Sequence, residues 1–589
     1  MNILQVNYCD LPGKVFNGYD LQKSLNAQGI AARQMVLDKT SNDKNSLKMC
    51  SESELFVRAE LINIERQYGM FNLLEPFKDA IAQSSAFGEA DIIHYHIIHL
   101  YMVSLYSMEY LFGQKANVWT LHDPWAISGR CVHPLECEKW KTGCYNCTKW
   151  EEAAFPTRID KAHDLWNVKK KVFQKIADRV DLVVASDWML SRVKESPLTG
   201  QFKNVHKIPF GIEISDYENK RLLAAKDKYD IPRDNLVIGF RAESDPLKGT
   251  KYILKALEKL KSAKPITIIT IGHMKLPEWL NRYFQVIELG WQSKEGVATF
   301  LSATDIFVMP SLAESFGLMA IEAMASKCTV VIFDGTALES VTEAPYCGVA
   351  VPYKNVEKLR DAIEQLLESP EERMCRGERG LQIVKEKYRY KDYLRKHIEM
   401  YEEIMQRKTE KVYYQYDGEF FKRQNSIQEG LTRMKQLRKV FTIEGIDTKI
   451  AVVSNSREGI NVYKELLEHL IPVSYVVGRC QWNNVDLSES VIKLENEEEL
   501  LSVSNLIIIL ADGEDIGEEI RKIESSRIIT RSELNVLMER YPILSEISQM
   551  KEIPDLDYSS KGVEKLIVLF NQTIENICNY YEERLNERN

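Results

Sequence analysis

Two glutamates, Glu314 and Glu322, flank the start of a helix that follows a short apolar strand. Residues 306–309 are apolar, Pro310 cannot continue a central strand, and helical spacing of apolar residues resumes a few positions later. A carboxylate accepts hydrogen bonds without donating any, so these side chains suit the hydroxyls of a hexose and a ribose. The free N–H groups at the helix start, where Gly317 leaves space, suit an anionic phosphate. The alternative is an ordinary loop glutamate and an ordinary helix-surface glutamate.

The residues around the two glutamates favour the first interpretation, because they resemble the signature of family 4 glycosyltransferases, enzymes with the two-domain GT-B fold. That signature reads approximately PS-x-x-E-x-F/P-G-x-x-x-x-E-A-x-A. The chain matches it at Pro310, Ser311, Glu314, Phe316, Gly317, Glu322, Ala323 and Ala325. The resemblance implies that Glu314 contacts hydroxyls of the donor sugar and Glu322 those of the ribose. It also implies that the amides from Phe316 to Leu318 bind the sugar and the diphosphate.

Two basic residues occupy a second position suited to a diphosphate. Arg241 follows an apolar strand at 236–240, and Lys248 precedes the next helix by one residue. In the family that the chain resembles, equivalent residues neutralise the departing diphosphate without a metal, so both are candidate catalytic residues. The Asp-x-Asp sequence at 555–557 is interpreted as a solvated loop, and we expect no catalytic metal.

Polar groups follow apolar strands in the first third of the chain as well, and ligands of open α/β sheets bind beyond such strand ends. His122 stands in a Thr-x-His-Asp setting that the family often places close to the reacting sugar, so it is a candidate catalytic residue that Asp123 would orient. His96 and His99 are weaker candidates, because a histidine in a strand is usually structural. Gly13 stands where the family has a glycine-rich loop whose amides approach the donor phosphate or the acceptor, although a simple turn glycine is nearly as good an interpretation.

Four cysteines are concentrated in an insertion at 131–147, and they are Cys131, Cys137, Cys144 and Cys147. Thiolates are soft ligands and a Cys-x2-Cys pair spans two ligand positions, which favours a structural zinc ion over free thiols or a disulfide pair. His133 is the substitute ligand if one cysteine is not used. A similar cluster occurs in some bacterial polysaccharide glycosyltransferases.

The elements that carry these motifs alternate between strand and helix, which indicates an α/β fold. The resemblance implies the GT-B arrangement, with two Rossmann-like, doubly wound domains facing a cleft, and the strands near the C-terminus add a Rossmann-like accessory domain. The predicted divisions are 1–208 on the acceptor side, 209–395 binding the donor, 396–440 forming crossover and connector helices, and 441–589 as the accessory domain. Gly459 alone matches the dinucleotide fingerprint there, so assembly or regulation through a protein partner or a second copy is favoured.

Composition narrows the functional class. The 589 residues carry a net charge of −9, which gives no general attraction to nucleic acid, and their eleven cysteines are too few for a disulfide scaffold. The sequence shows neither a long apolar segment nor the layout of a signal peptide at its start, so we expect a cytoplasmic protein. A peripheral position at the inner membrane face is the alternative.

The overall prediction is a metal-independent, retaining glycosyltransferase of polysaccharide biosynthesis. It would transfer a hexose from a nucleoside-diphosphate sugar, with UDP favoured, to a glycan, lipid-linked or protein acceptor. The alternatives are a catalytically inactive sugar-nucleotide-binding or scaffold subunit, and a GT-B sugar-nucleotide epimerase.

Overall fold

The computed structural model describes 1–11, 18–49, 71–75, 77–149, 159–218 and 222–407, short stretches between 449 and 538, and a few isolated residues elsewhere. The described residues form two compact units, of which one contains two sheets and the other contains a third. Gly13 lies outside the described residues, so its role stays a prediction.

The first sheet is parallel and covers the N-terminal part of the chain. Its described strands are β1 (Asn2–Cys9), β2 (Ala31–Asp38), β3 (Ser46–Lys48), β4 (Ile92–Tyr95), β5 (Ala116–Thr120), β6 (Val180–Val184) and β7 (Asn204–Lys207). The connecting helices are α1 (Tyr19–Ala27), α2 (Lys78–Ala82), α3 (Ser85–Glu89), α4 (Leu105–Gln114), α5 (Ala162–Ile176) and α6 (Asp187–Glu195). The strand order β3-β2-β1-β4-β5-β6-β7 is doubly wound about β1. All residues of β6 are buried, as expected for a parallel strand covered on both faces.

The second sheet has the same winding and belongs to the same compact unit. Its described strands are β8 (Leu236–Arg241), β9 (Ile266–Ile271), β10 (Gln285–Glu288), β11 (Ile306–Met309), β12 (Thr329–Phe333) and β13 (Val349–Val351). Its helices are α7 (Ser215–Glu218), α8 (Leu222–Lys228), α9 (Thr250–Leu257), α10 (Lys294–Ser302), α11 (Leu318–Ala325), α12 (Leu338–Val341), α13 (Val356–Glu368) and α14 (Pro370–Lys387). The order β10-β9-β8-β11-β12-β13 places the carboxyl ends of β8 and β11 side by side, so residues that follow these two strands meet.

Helix α15 (Tyr390–Gln406) returns from the second sheet to the first. The hydroxyl of Tyr390 lies 2.9 Å from Ser24 Oγ, and the hydroxyl of Tyr401 lies 2.6 Å from His94 Nδ1 in β4. The helix begins within the range predicted for the donor domain. It contacts both the domain of the first sheet and the domain of the second sheet, and it therefore connects the two domains of this unit.

The third sheet is also parallel and doubly wound. Its described strands are β14 (Lys449–Val453), β15 (Tyr475–Val477), β16 (Ile492–Leu494), β17 (Leu506–Leu510) and β18 (Ile528–Thr530), in the order β16-β15-β14-β17-β18, with helices α16 (Glu458–Glu468) and α17 (Arg531–Met538). At its first strand end, the Gly459 N–H donates to Ser454 Oγ at 3.0 Å, so one amide of the α16 start is already bonded within the protein.

In the part of the chain that is described, no helix combines the length and the apolar character needed to cross a membrane.

Candidate active site

The loop between β11 and α11 has a backbone shape that requires glycine. Gly317 is the N-cap of α11 and has φ 101°, in the left-handed region. A Cβ at this position would meet the side chain of Leu338. The loop therefore turns sharply into the helix, and it directs Glu314 and the first amides of α11 towards one space.

That space is a cavity of about 350 Å³. It is lined by seven of the residues predicted from the sequence, namely His122, Arg241, Lys248, Glu314, Phe316, Gly317 and Leu318. Other lining side chains were not assigned to the donor site, among them Asp123, His133, Phe210 and Ser315. The cavity thus collects predicted residues from both doubly wound domains of the first unit.

The two basic residues are each paired with a carboxylate. Lys248 Nζ lies 2.9 Å from Glu314 Oε1, and the guanidinium of Arg241 lies 2.9 Å from Glu243 Oε1. About a third of each basic side chain is exposed, at 30% for Lys248 and 35% for Arg241. Both cations are therefore accessible from the cavity while their charges are balanced, and an anionic ligand could take the place of either partner.

His122 is neutral and held from two sides. Its Nε2 lies 3.1 Å from Nδ1 of His96, and its ring stacks on Phe210 with centroids 5.8 Å apart. Burial lowers the pKa of His122 to about 4, although the charge of Asp123 acts in the opposite direction. A neutral imidazole can both donate and accept a hydrogen bond, as contact with a sugar hydroxyl requires.

Asp123 has a different partner from the one expected. Its Oδ2 lies 3.1 Å from His99 Nε2, while its Oδ1 accepts from the N–H of Trp125 at 2.9 Å. Burial by itself would raise the pKa of Asp123. The interaction with His99 and the hydrogen bond from the Trp125 N–H outweigh this effect, and the pKa is lowered to about 2. His96 contacts the His122 ring at 3.1 Å, and the charge of Asp123 also acts on His122, so the orienting role of Asp123 stays a prediction. Strand alternation alone could not have distinguished these partners.

Glu322 is half-buried and lies outside the described lining of the cavity. Its Oε1 accepts a hydrogen bond of 2.9 Å from the hydroxyl of Tyr217, a buried residue of α7. Burial, together with the charge of Glu322, raises the pKa of Tyr217 above its ordinary range, so the hydroxyl remains a donor. Sequence reasoning missed Tyr217 because it is 105 positions away from Glu322.

Trp291 is a second residue that sequence reasoning missed. The guanidinium of Arg241 lies 5.5 Å from the centre of its ring, and the His273 ring stacks on it at 5.2 Å with an interplanar angle of 7°. Trp291 is 52% exposed and follows β10, just as His273 follows β9. In the sequence, only the positions of Trp291 and His273 after predicted strands could have indicated a functional role.

The cysteine insertion is anchored to the first domain. The neighbouring thiol of Cys147 raises the pKa of Cys131, and the thiol of Cys131 lowers the pKa of Cys147 to about 6. Cys144 Sγ accepts from the Gly129 N–H at 3.2 Å. All four cysteines are free thiols, and in the described ranges no three His, Cys, Asp or Glu side chains are grouped so that they could hold a metal ion. This geometry is a thiol pair with two separate thiols, and the structural zinc stays a prediction.

His133 was considered as a substitute ligand within this cluster, but the structure places it on the lining of the cavity. Burial lowers its pKa, and the charges that act on it are those of Asp123, Glu314, Lys248 and Asp245. In the sequence, its position two residues after Cys131 indicated a metal ligand and gave no sign of the cavity.

Comparison with known proteins bears on the segment that contains β8 to β13. Residues 224–382 match the family model described as glycosyl transferases group 1. Over this segment the chain is therefore similar to group 1 glycosyltransferases. The matched segment, here called the group 1 segment, includes Arg241, Lys248, Glu314 and Glu322 of the predicted site, whereas His122 and His133 lie upstream of it.

Two named bacterial proteins align with parts of the chain. The putative colanic acid biosynthesis glycosyl transferase WcaC of Escherichia coli K12 is 36% identical over 92 residues, which cover 14% of this chain and 22% of that protein. The D-inositol 3-phosphate glycosyltransferase of Mycobacterium bovis is 30% identical over 179 residues, which cover 29% of this chain and 36% of that protein. The matches thus span well under half of each relative.

A solved structure shares the wider architecture. Sucrose-phosphate synthase from Thermosynechococcus elongatus superimposes with a TM-score of 0.50 at 15% identity, over 69% of this chain and 99% of that chain. At this identity the likeness concerns the fold alone. Together with the two parallel, doubly wound sheets, it confirms the predicted GT-B fold.

Proposed function

We propose that the protein transfers a hexose from a nucleoside-diphosphate sugar, with UDP as the favoured nucleotide, to a glycan, lipid-linked or protein acceptor. The observation that carries the proposal is the convergence of Arg241, Lys248 and Glu314 on one cavity beside the start of α11. Two cations and free helix amides suit a diphosphate, and a carboxylate beside them suits sugar hydroxyls. The match of the surrounding segment to the group 1 family supports the same reaction class.

In the proposed reaction, the bond between the anomeric carbon and the diphosphate oxygen breaks, and the acceptor hydroxyl oxygen forms the new bond to that carbon. The acceptor proton leaves to the departing phosphate. Arg241, Lys248 and the first amides of α11 stabilise the negative charge that develops on the diphosphate. Neutral His122 holds a sugar hydroxyl, and retention of the anomeric configuration is expected from the resemblance to family 4.

No step of this proposal uses a metal ion. One structural zinc ion per chain, held by the cysteine insertion, is a separate proposal that metal analysis of the purified protein tests. Peripheral attachment to the inner face of a membrane, and a partner or a second copy bound by the third sheet's domain, are likewise proposals.

The test is thermal unfolding with UDP, GDP, ADP and their sugar conjugates, on the wild type and on Glu322→Ala and Arg241→Ala. A ligand at a hundred times its dissociation constant stabilises the folded state by about 2.7 kcal/mol. One nucleotide series should raise the melting temperature of the wild type and fail to do so in both variants. If no series does, the proposal is wrong and the inactive scaffold becomes the better interpretation.

A second measurement separates transfer from epimerisation. Release of the nucleoside diphosphate should require an acceptor sugar. A change in the donor sugar without an acceptor would favour the epimerase instead.

A further inference from the structure

Residues 131–137, here called the strap, begin in the first domain and reach the second. Leu135 packs against the apolar cluster of the second sheet, which includes Ile306 and Val308 of β11. Glu136 forms an ion pair with Lys354, which follows β13. The strap is thus held against the donor domain by one apolar contact and one charged contact.

The base of the strap is fixed on the side of the first domain. Ser128 Oγ donates to the carbonyl of Cys131 at 2.7 Å, and the buried Lys169 donates to the carbonyl of Ser128 at 2.9 Å. Because both ends of the strap are attached, the residue between them has a defined position.

That residue is His133, and it lines the cavity together with Lys248 and Glu314. The strap carries the side chain of His133 into a space whose other polar groups come from β8, from the segments that follow β5 and β8, and from the loop before α11. The group 1 segment at 224–382 does not include it. The strap therefore adds a chemical group of its own to a site that the group 1 segment and the region around His122 form together.

We propose that His133 is a specificity-determining residue that hydrogen-bonds a ring hydroxyl of the donor sugar; this inference rests on the function proposed above. An imidazole donates from one nitrogen and accepts at the other, and a sugar hydroxyl does both. Arg241 and Lys248 carry full positive charge and are better suited to the diphosphate. His133 and Glu314, the residue predicted to hold the sugar, line the same cavity, which favours a contact of His133 with the sugar over one with the nucleoside.

The experiment compares binding of a nucleoside diphosphate with binding of its sugar conjugate by titration calorimetry. The probes are UDP and UDP-glucose, GDP and GDP-mannose, and ADP and ADP-glucose, and the pair that binds the wild type is used. His133→Ala should weaken binding of the sugar conjugate by about 5- to 10-fold, as for one lost hydrogen bond, and leave the diphosphate within about 2-fold. His133→Gln, which keeps a donor and an acceptor, should recover part of the loss.

His163→Ala is the matched control. His163 packs on the same insertion, with Nδ1 2.7 Å from the Gly143 carbonyl and its ring stacked on Tyr145, but it does not line the cavity. It should leave both affinities unchanged.

The outcomes distinguish the inference from the function on which it rests. If the wild type binds no nucleotide pair, the proposed function and the inference both fail. If the wild type binds a pair and His133→Ala retains the affinity for the sugar conjugate, only the inference fails. Equal losses for the diphosphate and the conjugate would also overturn it, because they would mean that His133 merely supports the strap.

Discussion

Lys248 and Glu314, 66 positions apart in the chain, form an ion pair of 2.9 Å at the cavity. The cation expected to bind the diphosphate is thus held by the carboxylate expected to bind the sugar. In the free protein each neutralises the other, so neither charge is left unpaired. A bound donor would supply a phosphate to Lys248 and hydroxyls to Glu314, and it would replace one charged pair by two separate contacts.

Replacing Lys248 with Met should abolish most of the transfer activity and leave the fold intact. Removing one charge-stabilising donor commonly costs about 10²- to 10³-fold in turnover. The ion pair is partly exposed, so its loss should change the free energy of unfolding by about 0–1 kcal/mol. Steady-state kinetics and urea unfolding measure the two effects. Lys251→Met, an exposed lysine of α9, is the control, and equal activity in both variants would contradict the assignment.

Replacing Gly317 with Ala should destabilise the protein more than the same change at Gly335. Both glycines have positive φ, at 101° and 77°, which costs an alanine about 1–2 kcal/mol. A Cβ at Gly317 would also meet Leu338, whereas nothing lies within 4 Å of a Cβ at Gly335. We expect a loss of about 3 kcal/mol at Gly317 and about 1 kcal/mol at Gly335, measured by urea unfolding. Similar losses at the two positions would show that the Leu338 contact is easily relieved.

The free energy of unfolding should decrease as the pH is lowered, and His397 is one cause. This residue of α15 is 1% exposed. Burial lowers its pKa from 6.5 to about 4, although its bond to the Tyr393 carbonyl acts in the opposite direction. Between these values the unfolded chain binds more protons than the folded chain. The contribution is therefore fully present above pH 6.5 and is lost as the pH falls through 4, at about 1.4 kcal/mol per unit.

The variant His397→Asn isolates that contribution. Its free energy of unfolding should depend on pH less steeply than that of the wild type, by about one proton, between pH 6.5 and 4. Urea unfolding at several pH values across this range measures both slopes. Parallel curves for the two proteins would mean that His397 is protonated in the folded state without penalty.

Tyr217→Phe should weaken binding of the nucleotide through Glu322. The hydroxyl of Tyr217 donates to Glu322 at 2.9 Å and fixes the carboxylate that is predicted to hold the ribose. A loss of about 3- to 10-fold in affinity is expected for the ribonucleotide, and a smaller loss for its 2′-deoxy form, by calorimetry. Tyr388→Phe, whose hydroxyl donates to the Val341 carbonyl at 3.1 Å, is the control. Equal losses for the two nucleotides would assign Tyr217 a purely structural role.

The sequence by itself determined the features that depend on residues close together in the chain. The strand, loop and helix from Ile306 to Ala325 follow from the local alternation of apolar residues and from Pro310 and Gly317, and the structure has them at the predicted places. The α/β class was predictable for a related reason, because it follows from a regular succession of strands and helices, whereas the GT-B arrangement was expected from the resemblance of residues 310–325 to the family signature. Arg241 and Lys248 were predicted because one follows a strand, the other precedes a helix start, and the family has basic residues at equivalent positions.

Only the tertiary structure decided which distant side chains share a partner. Asp123 lies 3.1 Å from His99 because the segments that follow the neighbouring strands β4 and β5 pack side by side. Tyr217 reaches Glu322, and His133 leaves the cysteine cluster for the cavity, because the folds of separate segments bring them there. Such contacts depend on how separate helices, strands and loops pack, and the spacing of residues in the sequence carries no information about this packing.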